Sequence, residues 1–112
     1  MKHPIVTLCG STKFKEDFER VNRELTLSGY IVISVGCFGH SGDSFTDEQK
    51  VMLDEIHKEK IDLADSIYEI NKDDYIGEST KSEILYAHKH GKTVTFMVTP
   101  DLNKHNDIFE EW

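Results

Sequence analysis

Residues 5–14 read I-V-T-L-C-G-S-T-K-F. The first five form an apolar, β-branched run that Gly10 breaks. Such a short continuous run suits a strand buried on both faces of a parallel sheet, not an alternating strand with one wet face. Downstream, Phe14, Phe18, Val21, Leu25 and Leu27 recur close to the helical period, which predicts a helix from about Lys13 to Ser28. Gly29 is its expected C-terminal stop. Tyr30 to Val35 is a second strand, and the glycine- and serine-rich stretch from Gly36 to Asp47 is a long loop. Thr46 and Gln49 have capping-box spacing for a helix from about Asp47 to Leu63, with Met52, Leu53, Ile56, Ile61 and Leu63 expected on its buried side. Ser66 to Ile70 is a third strand and Asn71 to Ser79 a loop. Thr80 and Glu83 again have capping-box spacing, for a helix to about His90, and Thr93 to Val98 is a fourth strand. The polar tail from Thr99 to Trp112 has Ile108, Phe109 and Trp112 as its anchors.

Strands separated by helices predict an α/β three-layer sandwich with right-handed crossovers. The expected sheet is parallel, flavodoxin-like or Rossmann-like, of four to five strands, with the first strand between the second and third. A chain of 112 residues fills one core, so residues 1–112 are expected to be a single domain. In such sheets ligands bind beyond the carboxyl ends of the strands, at the switch in strand order. Two loops fall there: Gly10 to Lys13, and Asn71 to Ser79.

Charge limits the partners. Thirteen Lys and Arg against 21 Asp and Glu give a net charge of -8, which argues against a nucleic-acid polymer. A small anion stays within reach, because backbone amides and one or two basic residues hold a single phosphate. The sequence has no apolar run of 18 residues, so no membrane helix is expected, and its N-terminus lacks the pattern of a signal peptide. A cytoplasmic chain is expected, with Cys9 and Cys37 reduced. No C-x-x-C or H-x-x-x-H pair occurs, so neither a metal nor another cofactor is expected.

Two segments carry candidate chemistry. In Cys9-Gly10-Ser11-Thr12-Lys13 the glycine permits close backbone approach, and the following amides, hydroxyls and Lys13 suit a phosphate or ribose oxygen. The plain alternative is that Ser11 or Thr12 only caps a helix. Gly77-Glu78-Ser79-Thr80-Lys81-Ser82-Glu83 offers a glycine, hydroxyls, a lysine and two carboxylates at the crevice mouth. There Glu83 is either a reacting group or a capping-box partner of Thr80, and Lys81 either a ligand or a surface lysine. The loop from Gly36 to Asp43 reaches the same crevice, where Phe38 and His40 would stack on a base as a lid, or simply belong to a connector.

The stretches I-V-T-L-C-G-S-T-K-F, A-D-S-I-Y-E-I and G-E-S-T-K-S-E-I resemble nucleoside 2-deoxyribosyltransferases and the related 2′-deoxynucleoside 5′-phosphate N-hydrolases. The resemblance runs from Ile5 to about Val98 in the same element order. It implies breakage or exchange of the bond between base and deoxyribose, with Glu83 in the register of the helix-borne nucleophile. It also implies that Cys9, Gly10, Ser11 and Lys13, with Gly77, Glu78, Ser79 and Thr80, contact sugar or 5′-phosphate. The base must leave with a proton, for which Asp54, Glu78 and Asp74 are candidates. Two departures stand out. The approach to Glu83 is Ser79-Thr80-Lys81-Ser82 in place of glycines, and the family's helix-borne aspartate falls nearest His57, with Asp54 one turn earlier. The implied partner is a nucleoside or nucleotide, and the implied assembly a homodimer or larger, for which Ile108, Phe109 and Trp112 would serve as contact residues. An edge strand needing cover points the same way. The competing readings are a non-catalytic nucleotide-binding module and an interaction domain with a vestigial pocket.

Overall fold

A computed structural model describes residues 2–39, 42, 44–110 and 112. β1 (Ile5–Gly10) lies at the centre of a four-stranded sheet of order β2-β1-β3-β4, formed with β2 (Ile31–Ile33), β3 (Ser66–Ile70) and β4 (Thr93–Phe96). All pairings are parallel, with Ile5 opposite Ile31, Val6 opposite Ser66 and Ser66 opposite Thr93. The expected α/β sandwich and central first strand are therefore present. The apolar run of β1 is buried because both its faces are covered. Leu8 turns to α1 (Lys15–Leu27), joining Phe18, Val21 and Ile70, whereas Cys9 turns to the opposite layer with Ile61, Ile67, Ile84 and Ile108. That layer holds α2 (Asp47–Leu63), α3 (Glu78–Lys89) and α4 (Asn106–Phe109). No helix of the described residues is long and apolar enough to cross a membrane.

Local chemistry sets the boundaries. Gly29 adopts φ +101°, the left-handed geometry that ends α1. Thr46 Oγ1 accepts from Gln49 N at 3.1 Å and Gln49 Oε1 accepts from Thr46 N at 3.0 Å, closing the expected capping box. The buried sides differ from expectation. Leu27 is 71% exposed, so the inner face of α1 ends at Leu25. On α2 the buried residues are His57 and Ile61, while Met52, Ile56 and Leu63 are exposed. α2 borders a cavity from Lys50 to Lys60, and Leu63 is its last residue.

The second capping box does not form. Gly77, extended at φ -80°, ψ 172°, lets α3 begin at Glu78, which puts Thr80 and Glu83 inside the helix. β2 and β4 are shorter than expected. Beyond β4 the side chain of Asn71 replaces a strand, donating to Val98 O at 3.0 Å and accepting from Val98 N at 3.1 Å. The tail folds back on its own domain: Ile108 is 1% exposed, Phe109 packs on Phe96 at 5.8 Å, and Trp112 stacks on His88 at 4.1 Å. Ile108 and Phe109 thus serve the internal core, which corrects their reading as contacts between chains.

Candidate functional site

A cavity of about 820 Å³ opens where the loops leaving β1, β2 and β3 meet the first turns of α2 and α3. That volume lies in the range of small-molecule sites. Its walls include Gly10, Ser11 and Thr12 after β1, Gly77 to Thr80 before and within α3, and Asp54 and His57 on α2. The two sequence-distant loops expected to share a crevice do share one.

Gly10 shapes the floor. It adopts φ +147°, and a Cβ there would meet Ile70 O at 2.8 Å. Ser11 fulfils both of its readings, since its Oγ accepts from Lys13 N at 3.4 Å in the 3-10 turn Thr12–Phe14 while the residue lines the cavity. Lys13 lies outside the lining, with its ammonium 3.5 Å from the centroid of the Tyr75 ring. The cation–π contact holds it on a ring that itself lines the cavity. Lys81 also lies outside the lining, pairing with Asp107 at 2.8 Å and Glu78 at 3.0 Å beside a second cavity of about 300 Å³. Glu78 and Ser79 are exposed on the rim, and Thr80 is buried. Asp74 is not in the lining; it accepts from Asp101 N at 2.9 Å and faces His105 Nε2 at 3.0 Å.

The centre of the wall is a trio drawn from three elements. Glu83, 8% exposed on α3, places Oε1 3.5 Å from Nε2 of His57 on α2, and that nitrogen lies 3.3 Å from Cys9 Sγ on β1. Cys9 is fully buried behind the lining and does not border the cavity itself. Burial, reinforced by the charge of Asp54 and opposed by Lys58, pushes the Glu83 carboxyl up to about 8. Burial and Lys60, opposed by Asp54, push His57 down to about 4. Burial, with the Glu83 and Glu69 charges, holds the Cys9 thiol well above its ordinary value. At neutral pH the trio is therefore an uncharged thiol, imidazole and carboxylic acid. Asp54 reaches the cavity from one turn before His57, half-exposed and 3.8 Å from Lys58.

Several participants escape a reading of the sequence. Lys50, Lys60, Phe45 and Tyr75 line the cavity, whereas Lys13 and Phe38 do not. Phe38 packs on Phe18 at 5.7 Å, in the layer of α1, and His40 lies outside the described residues. The helical series Lys50, Leu53, Asp54, His57 was the available signal for this wall. Glu69 is the other surprise. It is fully buried on β3 opposite Cys9 in register, with no hydrogen-bond partner for either carboxylate oxygen among the described residues, and its ionisation is pushed well up by burial and by Glu83. Cys9 and Cys37 are both free thiols. No protein-family model matches the chain, and neither a curated protein nor a solved structure shows significant similarity to it.

Proposed function

We propose that this chain cleaves or transfers the N-glycosidic bond of a 2′-deoxynucleoside or of its 5′-monophosphate, with Glu83 as the nucleophile. The observation that carries the reading is a buried carboxyl in the wall of a nucleotide-sized cavity whose floor is the amide-rich turn Gly10–Thr12. The anomeric carbon bonds to a Glu83 oxygen as its bond to the base nitrogen breaks. The bonding pair stays on the base, which takes up the proton that the Glu83 carboxyl gives up as it attacks. The Asp54 carboxylate borders the same cavity and is the candidate relay for that proton. Water or a second base then displaces Glu83 and completes hydrolysis or transfer. Gly10, Ser11, Gly77, Ser79 and Thr80 hold sugar or phosphate in this reading, with Lys50 as the cation facing the cavity. The reading includes an assembly of two or more copies, for which the exposed side chains Val51, Met52 and Leu63 of α2 are the candidate contacts.

One observation favours a second reading. A carboxyl whose ionisation sits near 8 is mostly protonated at neutral pH, as suits a pocket that binds a nucleotide without reacting. Incubating the protein with deoxynucleosides and deoxynucleotides, with and without an acceptor base, separates the two by chromatography of free base. Release that falls at least ~10²-fold in Glu83→Gln supports the enzyme. Tight nucleotide binding with no base released under any condition supports the binding module.

A further inference from the structure

We propose that Cys9, His57 and Glu83 form a binding site for one borderline-soft divalent cation of the zinc class, with a coordination position open to the cavity. The argument is geometric. Bonds of about 2.3 Å to sulfur and 2.0–2.2 Å to nitrogen or oxygen set tetrahedral ligand edges of roughly 3.3–3.6 Å. The sulfur–nitrogen edge is 3.3 Å, the nitrogen–oxygen edge is 3.5 Å, and all three donor atoms lie within 4.8 Å of one another. Thiolate and imidazole select such an ion over magnesium or calcium, which take oxygen ligands. Binding releases the thiol and carboxyl protons, so a dication and two new anions neutralise each other.

Three protein ligands leave the fourth position to water or to a cavity ligand, because His57 and Glu83 border the cavity while Cys9 closes the site from behind. Glu69 supplies an independent observation. It is an acid buried in register with Cys9 on the same sheet face, with neither oxygen partnered among the described residues. The donors span β1, α2 and α3, so the ion also ties the central strand to two helices. The inference does not rest on the glycosidic reading. A carboxylate that holds the ion through Oε1 keeps a second oxygen, so the two readings are tested separately.

The test uses tag-free, chelator-treated full-length protein titrated with Co²⁺ and Zn²⁺. The expected result is one ion per chain, a thiolate-to-cobalt charge-transfer absorption, and displacement of cobalt by zinc but not by excess Mg²⁺. Affinity falls at least ~100-fold in Cys9→Ser and in Glu83→Gln, the second being a near-isosteric change that preserves folding. Cys37→Ser keeps the absorption. Absence of the absorption, its persistence without Cys9, or equal affinity in the Glu83→Gln variant overturns the proposal. Base release assayed on the same chelated samples tests the glycosidic reading separately.

Discussion

Gly10 is where one residue controls both the backbone and the site. Its φ of +147° is open to glycine, and the space a methyl would take is held by Ile70 O. Gly10→Ala is expected to lower stability by about 2–3 kcal/mol in urea unfolding, and to weaken nucleotide binding as the floor shifts. This glycine was legible, because a glycine ending an apolar run ahead of two hydroxyls has few other uses. Glu83 was legible in position but open in meaning, since its spacing from Thr80 also fits a cap. Only the earlier start of α3 at Glu78 decides that question. His57 and Cys9 were less legible as partners. They stand 48 residues apart on different elements, so no local spacing reports that they touch. Glu69 could not be read at all, because a strand places successive side chains on opposite faces and the sequence does not say which face meets a pocket.

At the scale of elements, the turn between β3 and α3 holds the tail in place. Asp73 and Asp74 both take left-handed backbone, φ 54° and 59°, in the 3-10 turn Lys72–Asp74. That turn aims the Asp74 carboxylate at Asp101 N and His105. Burial pushes this carboxyl up, but the hydrogen bonds from Asp101 N, His105 and Asn71 outweigh it and hold ionisation below the ordinary value. The folded state therefore binds its proton less readily than the unfolded chain does. Its contribution is full above the unfolded value of about 3.9 and is lost as pH falls through the lowered folded value. Asp74→Asn is expected to lower stability by about 1–2 kcal/mol at pH 7. Thermal melts from pH 7 down to pH 2 should show the wild-type advantage shrinking toward zero in acid. The limits of α2 were readable because its cap is local chemistry. Its buried face was not, because a helix bordering a cavity hides polar His57 and leaves Met52 outside.

Over the whole molecule, β2 and β4 are the edge strands of the sheet, and α2 exposes Val51, Met52 and Leu63. They stand among exposed Glu48, Glu55, Glu59 and Asp62, and are the contacts that the proposed assembly would use. Sedimentation is expected to show a dimer or larger species for the wild type and a monomer for Val51→Glu with Met52→Glu. A wild type that stays monomeric at high concentration ends that part of the reading. The layer order was legible from the alternation of strands and helices, whereas nothing local in the sequence shows that Ile108 and Phe109 pack on their own domain. The helix bearing Val51, Met52 and Leu63 also presents Lys50, Asp54 and His57 to the cavity. One rod thus has two audiences. If association shifts it by even a fraction of an ångström, thermodynamic reciprocity follows: whatever copies do to ligand affinity, ligands do in equal measure to the affinity between copies.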